Sequence, residues 1–432
     1  MIKAILTKIK WNKFLYFSVL LLTIQILLYS KIKFDRYFFE QTPSGDEGKY
    51  LEDLLFAIKN NYYQAIVKGA SITFLILSGF INKIFENPLL SLKISSFLSA
   101  IIFFITTVYI ERRFFKLSMN FRLVAYISIF YIIVLQSYLF IGVNDLLLDV
   151  FASVVFMLIF FETESSNRSK INFFLIGVFI GFMLSTRKMS LVYLPSFMLL
   201  LFFISNHKIL VLTKKSVYLF LGLISVLTIL NFPSIVDNKK LSFDDKVLKH
   251  DVNWAQWDYY NILKVQSGEI DRRKHVDINE VKEYLSKNGN NSLPNTFFGM
   301  IIFDYKVTLI EFYYGLKDSF FGYLRSLGLL FLFGISFLLL KLSSISKINL
   351  KNYSNLILLF AISFTILISF IVVSYVQFRW FMIFLPLLIL SLLKKFQELN
   401  LNDNSKNIFL ISHIIVLFIM NLPFLLKFYI NN

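Results

Sequence analysis

The sequence predicts an all-α polytopic membrane protein, and three observations lead to this fold class. Hydrophobic residues make up 57% of the 432 positions, and the mean hydropathy of +0.67 is too high for a soluble globular protein. Several apolar stretches of roughly 17 to 22 residues are long enough to cross a ~30 Å hydrocarbon core as helices. The sequence lacks the alternating pattern of a membrane barrel, so we expect helical spans.

The distribution of basic residues predicts the topology. Lysines precede the first apolar segment, which places the N-terminus in the cytoplasm. The apolar segment 65–85 is interpreted as a juxtamembrane or re-entrant segment on the outer face, because counting it as a span would put the basic block at 111–122 outside. About eleven spans follow, at residues 14–29, 92–110, 123–141, 146–161, 171–185, 191–204, 217–231, 323–340, 356–375, 381–393 and 408–426.

This topology divides the chain into three parts. Residues 1–231 form an N-terminal membrane module with a first outer loop at 31–91, residues 232–322 a large outer loop subdomain, and residues 323–432 the C-terminal spans. The formal charge of +17 is then an excess of Lys and Arg kept on the cytoplasmic side, so no nucleic-acid partner is expected. The absence of cysteine excludes disulfides and thiolate chemistry.

The first outer loop carries an acidic pair, Asp46 and Glu47, in the stretch SGDEGKY at residues 44–50. It precedes a predicted surface helix with Leu51, Leu54, Leu55 and Ile58 on one face and Glu52, Asp53 and Lys59 on the other. Ser44 and Glu47 have the spacing of a capping box, which is an ordinary structural explanation. The functional alternative is a carboxylate held at the membrane surface as a general base or metal ligand.

Other polar residues lie at the outer ends of predicted spans. Asn144 and Asp145 lie in a short loop, where either can simply cap a helix. Asp149, one turn later, must be paired or face a polar cavity. Arg187 and Lys188 lie in an outer turn, and Arg379 lies in another. These cations either extend to lipid headgroups or bind a phosphate at the membrane boundary.

The order of these features resembles the GT-C superfamily of membrane glycosyltransferases, within it the protein O-mannosyltransferases and lipid A aminoarabinose transferases. Residues 45–50 (GDEGKY) are similar to the group's Asp-Glu-x-x-Tyr loop, and residues 142–145 (GVND) match its second-loop aspartate. Residues 181–188 (GFMLSTRK) are similar to its Gly-x-Leu-Thr-Lys stretch, and residues 379–386 (RWFMIFLP) resemble its Arg-Tyr-x-x-x-x-x-Pro segment. The outer loop 232–322 lies outside the resemblance.

The resemblance implies an inverting glycosyltransferase that moves a sugar from a polyprenyl-phosphate donor to a hydroxyl of a glycan, lipid or protein. Membrane lipids would surround it in the plasma (inner) membrane, with the active site on the extracytoplasmic side. Asp46 and Glu47 would be catalytic, and Asp46 would take the acceptor proton. Asp145 and Asp149 would orient the acceptor or a metal. Arg187, Lys188 and Arg379 would bind the donor phosphate. The cofactor stays unassigned, because some GT-C enzymes need a divalent cation such as Mg²⁺ or Mn²⁺ and others need none.

Two other functions remain open at this point. A polysaccharide polymerase or ligase acting on a polyprenyl-pyrophosphate-linked glycan also has about ten to twelve helices and a large outer loop, but it tends to rely on outer arginines. A lipid-linked sugar flippase or other transporter should instead have ionisable residues near the membrane midplane. In this chain the ionisable residues gather at the outer boundary.

Overall fold

A computed structural model describes residues 11–136, 139–164, 170–204, 209–242, 244, 252–272, 274–342, 352–370 and 376–430. The structure is 83% helix, and the described residues contain no strand. The first helices are α1 (Trp11–Lys33), α2 (Glu47–Lys59), α3 (Tyr62–Lys68), α4 (Ile72–Phe85), α5 (Pro88–Ile110), α6 (Met119–Gln136), α7 (Asp145–Glu164), α8 (Lys170–Thr186), α9 (Leu194–Ile204) and α10 (Ile209–Leu230). They are followed by α11 (Phe232–Asn238), α12 (Trp254–Gln266), α13 (Ile278–Asn288), α14 (Phe297–Phe303), α15 (Tyr305–Leu327), α16 (Leu329–Leu342), α17 (Tyr353–Ser369), α18 (Leu385–Gln397) and α19 (Asp403–Ile430).

Several helices have the length and composition of membrane spans. Within the described ranges, four are long and apolar enough to cross a membrane, or up to six if each of two bent helix pairs counts as one span. The four are Trp11–Phe38, Pro88–Phe115, Asp145–Glu164 and Asp403–Pro423. Other predicted spans form apolar helices of 10–17 residues, shorter than the ~20 residues of a typical span. The fold is therefore that of an all-helical membrane protein, and the count of eleven stays a prediction.

Backbone breaks change the bounds of some predicted segments. The segment predicted at 323–340 is two helices, because α15 ends at Leu327 and Gly328 has a positive φ of 50° before α16. The segment 65–85 is also divided, by Gly69 at φ 103°, into α3 and α4. The 14 residues of α4 extend only about 21 Å at 1.5 Å per residue. This helix belongs to the same class of shorter apolar helices as several predicted spans, so its juxtamembrane placement stays a prediction.

Small residues let α8 and α10 pack closely. A Cβ at Gly177 would overlap the carbonyl of Leu219, and a Cβ at Gly222 would overlap the carbonyl of Phe174. Glycine removes this obstacle and allows two helix backbones to approach. The C-terminal end of α8 leads directly into Arg187.

The chain forms two compact units. The first contains Met1–Asp244, Leu324–Phe360 and Arg379–Asn432, and the second contains Asp245–Tyr323 and Ala361–Phe378. The second unit has its own core around Tyr259, Val281 and Leu285. Its helix α13 is capped at the first turn by the Asp277 side chain, which accepts from the Asn279 N–H at 3.1 Å.

Candidate functional site

The first unit brings together four of the residues nominated from sequence. The Arg379 guanidinium lies between two carboxylates, with Nη2 3.2 Å from Asp46 Oδ2 and Nη1 3.1 Å from Asp145 Oδ2. The other oxygen of Asp145 pairs with Arg187. The result is a chain of alternating charges, Asp46, Arg379, Asp145 and Arg187, which we call the ion-pair chain.

Secondary structure explains the position of each charge. Asp46 is the N-cap of α2, and Asp145 is the first residue of α7, so both carboxylates lie at helix N-termini, where the dipole favours negative charge. Arg187 follows the C-terminal end of α8, where a cation is favoured. Arg379 lies in the 3₁₀ turn Phe378–Phe381. These residues are separated by up to 333 positions in sequence, and only packing brings them into contact.

The ion-pair chain is mostly removed from solvent. The side chains of Arg187, Asp145 and Arg379 are each about 10% exposed or less, whereas that of Asp46 is 33% exposed. Buried ion pairs are weak sources of stability, because desolvation offsets much of the attraction. The ion-pair chain therefore leads from buried Arg187 to a partly exposed end at Asp46.

Neutral hydrogen-bonding groups lie next to Arg187, the buried end of the ion-pair chain. Asn144 is fully buried, and its side-chain amide donates to Ser71 Oγ at 3.1 Å. Ser71 Oγ in turn donates to the Thr186 carbonyl at 2.6 Å. The Asn144 carbonyl oxygen accepts from Arg187 Nη1 at 3.5 Å. The sequence offered helix capping as the ordinary role of Asn144, whereas in the structure its side chain joins the start of α4 to the end of α8.

Glu47 has a different environment from its neighbour Asp46. Its carboxylate is buried and accepts from two backbone N–H groups, that of Ser44 at 3.0 Å and that of Gly142 at 2.6 Å. The predicted capping box is only half formed, because the Ser44 hydroxyl bonds to Glu40 and α2 takes Asp46 as its N-cap. Burial raises the pKa of Glu47 despite these bonds. This geometry favours a positioning role for Glu47 over the predicted catalytic role.

The approach of Glu47 to the backbone requires glycine at position 142. A Cβ there would overlap Leu92 Cβ and lie 2.9 Å from Glu47 Oε1. We expect Gly142→Ala to destabilise the protein by about 1–3 kcal/mol, the usual cost of overpacking a tight contact. A lower thermal unfolding midpoint in detergent would report this effect.

Gly48→Ala is the matched control, because a Cβ at Gly48 meets only Pro43 atoms at 3.8 Å and beyond. We expect it to leave the unfolding midpoint unchanged or slightly raised, since alanine favours the helix interior. Equal midpoints for the two alanine variants would contradict the proposed contact.

The structure separates the remaining nominated residues. Asp149 is buried in α7 within electrostatic reach of Asp145 and Arg187, so it extends the polar cluster into the helix. Lys188, at the start of the 3₁₀ turn Lys188–Tyr193, is exposed, while its neighbour Arg187 is buried. The two predicted cations therefore have different environments, and Arg187 belongs to the ion-pair chain.

Sequence reasoning missed the inner face of α2. Asp53 was assigned to the polar face, but it is buried with Tyr50 and Leu54, whereas Leu55 and Ile58 are exposed. The reason is that the face of α2 that begins at Asp46 packs against the rest of the protein. The spacing of Asp46, Lys49, Tyr50 and Asp53 at i, i+3, i+4 and i+7 was the available signal.

Asp244, from the predicted outer loop, joins this inner face. Its carboxylate lies 3.5 Å from Lys49 Nζ and accepts from the Tyr50 hydroxyl at 3.4 Å. The charges of Asp46, Asp145 and Asp244 interact electrostatically with both Tyr50 and Arg187. The polar site therefore contains the ion-pair chain and a second group of residues along α2.

The described part of the chain contains no group of three His, Cys, Asp or Glu side chains arranged to hold a metal ion. The comparisons with known proteins matched no family model, no curated protein and no solved structure. The function is therefore inferred from the geometry of the site and from the order of its residues in the sequence.

Proposed function

We propose that this protein is an inverting membrane glycosyltransferase that moves a sugar from a polyprenyl-phosphate donor to a hydroxyl of a glycan, lipid or protein. In this proposal the chain crosses the plasma (inner) membrane about eleven times, with a cytoplasmic N-terminus and its site on the extracytoplasmic side. The observation that carries the proposal is the ion-pair chain, in which two mostly buried arginines converge on one carboxylate.

The two arginines suit the phosphate of the donor. Guanidinium groups bind phosphate oxygens through paired charge-assisted hydrogen bonds, and such bonds strengthen away from water. Without ligand, Asp145 holds both guanidinium groups and Asp46 holds Arg379. A phosphate that enters at the exposed end competes with Asp46 for Arg379. Donor binding therefore replaces the carboxylate by a phosphate, and the buried Arg379 cation keeps an anionic partner.

The reaction is a single displacement at the anomeric carbon. An acceptor hydroxyl oxygen forms the new bond to this carbon, and the bond to the phosphate oxygen breaks with its electron pair on the phosphate. Arg187 and Arg379 stabilise the negative charge on the departing phosphate. A carboxylate takes the acceptor proton. Glu47 holds the loop that carries Asp46, and Asp149 keeps the buried end polar.

Binding of undecaprenyl phosphate without a sugar tests the phosphate site directly. We expect Arg187→Gln to weaken binding by about 10- to 100-fold, equivalent to the ~1.5–3 kcal/mol of a hydrogen bond to a charged group. Native mass spectrometry of the purified protein in detergent, titrated with the lipid, measures the change. Arg36→Gln is the matched control, because Arg36 is an exposed arginine of the first outer loop.

Turnover separates the candidate functions. With undecaprenyl-phosphate-linked sugars, release of free lipid phosphate together with a new glycosidic bond supports the proposal. Transfer from pyrophosphate-linked glycans alone would indicate a polymerase or ligase. Movement of the lipid across a vesicle without bond cleavage would indicate a carrier, and equal binding by the Arg187→Gln and Arg36→Gln variants would reject the phosphate site.

A further inference from the structure

The position of Asp46 argues against its being the proton acceptor. In an inverting displacement, the group that takes the proton and the leaving group lie on opposite sides of the reacting carbon. Asp46 is 3.2 Å from Arg379, which holds the leaving phosphate in the proposed function. Asp46 therefore lies on the phosphate side of the reacting carbon. The proton requires another acceptor.

The inner face of α2 leads from Asp46 to such a group. Asp53 follows Asp46 by seven residues, which places it on the same helix face about 10 Å further along the axis. Paired carboxylates of inverting glycosidases are separated by a similar distance, about 6.5–9.5 Å, because the reacting sugar carbon and attacking oxygen lie between them. Tyr50, also on this face, is buried, and its hydroxyl donates to Asp244 at 3.4 Å.

Among the described residues, Asp53 is an aspartate with a buried carboxylate oxygen that accepts no hydrogen bond. The residue is 8% exposed, and its buried Oδ2 has no hydrogen-bond partner among the described residues. A buried carboxylate oxygen is normally hydrogen-bonded, so an unpaired one points to a ligand. Asp53 differs in this respect from Asp46 and Asp145, which both have arginine partners.

The charges around Asp53 come from three elements. Lys49 and Glu52 belong to α2, Lys68 ends α3, and Asp244 lies opposite. Burial raises the pKa of Asp53 to about 6, while Lys49 opposes this rise and Asp244 adds to it. A carboxylate with such a pKa is ionised at neutral pH and is a stronger base than an ion-paired one.

We propose that Asp53 is the general base of the reaction and that Lys49 and Asp244 form the adjoining acceptor subsite for a hydroxyl-rich group. In the transfer step the acceptor O–H proton passes to Asp53 Oδ2 as the oxygen bonds to the anomeric carbon. Lys49 donates to acceptor oxygens, and Asp244 accepts from acceptor hydroxyls. The assignment rests on the proposed function and identifies Asp53 as the carboxylate that takes the acceptor proton.

The pH dependence of Asp53→Asn tests this assignment. Because only ionised Asp53 accepts a proton, kcat/KM of the wild-type protein should rise with pH up to about 6 and then level off. Asp53→Asn should lower kcat by about 10²- to 10⁴-fold and abolish this rise. Asp46→Asn should keep the rise. Consumption of undecaprenyl-phosphate-linked sugar with an acceptor extract provides the rate.

Binding of undecaprenyl phosphate separates a local effect from misfolding. We expect Asp53→Asn to bind this lipid as the wild-type protein does, and the exposed control Asp35→Asn to match the wild-type protein in binding and rate. Wild-type kcat in Asp53→Asn, or a persisting rise near pH 6, would overturn the assignment while leaving the proposed function intact. A wild-type protein that binds the lipid but never cleaves the donor would overturn both.

Discussion

Replacement of Arg379 by glutamine should lower the rate of sugar transfer by about 10²- to 10³-fold, the usual effect of removing one donor that stabilises developing negative charge. Arg379 is the only group of the ion-pair chain that contacts both Asp46 and Asp145, through separate nitrogens at 3.2 and 3.1 Å. Glutamine is neutral and cannot replace either ion pair. The steady-state rate of donor consumption measures the loss.

Arg379→Lys distinguishes charge from geometry. Lysine keeps the positive charge but lacks the planar guanidinium that reaches two carboxylates at once. We expect it to recover only part of the lost rate, while the exposed control Arg36→Gln retains the wild-type rate. If Arg379→Gln retains more than half of the wild-type rate, Arg379 does not hold the leaving phosphate.

Asp145→Asn should cause the largest loss of stability, about 3–5 kcal/mol, which is typical when one partner is removed from a buried ion pair. Asp145 accepts from Arg187 and Arg379, and the three side chains are almost fully buried. Asparagine keeps the shape but removes the charge, so two neighbouring cations lose their shared counter-ion. The thermal unfolding midpoint in detergent reports the effect.

The double variant Asp145→Asn with Arg187→Gln tests the cause of this loss. Removing Arg187 together with the carboxylate relieves the uncompensated charge, so the double variant should be more stable than Asp145→Asn alone. Asp35→Asn, which changes an exposed carboxylate, should leave the unfolding midpoint unchanged. An additive decrease in the double variant would show that Asp145 and Arg187 stabilise the protein independently.

Much of the candidate site could be nominated from sequence because charges next to apolar helices are costly. Asp145, Arg187 and Arg379 each interrupt or end an apolar stretch, and such residues are retained mainly where they are paired or functional. Their partners could not be assigned in this way. Arg187 and Lys188 are adjacent and look equivalent in sequence, yet the turn after α8 buries one and exposes the other.

The inner face of α2 shows where pattern reasoning failed. The hydrophobic stripe of Leu51, Leu54, Leu55 and Ile58 predicted which side of the helix would be apolar. It could not tell whether that side faced lipid or protein, since both are apolar surroundings. Asp53 was consequently assigned to the polar surface, although the structure buries it and exposes Leu55.

The sequence by itself determined the helical class and membrane character, because composition and apolar segment length are local properties that need no knowledge of packing. It also nominated the charges of the ion-pair chain. Only the tertiary structure decided that Asp46 shares an arginine with Asp145, that Glu47 is bonded to the backbone, and that Asp53 is buried. These outcomes depend on contacts between residues distant in sequence, and no local pattern contains that information.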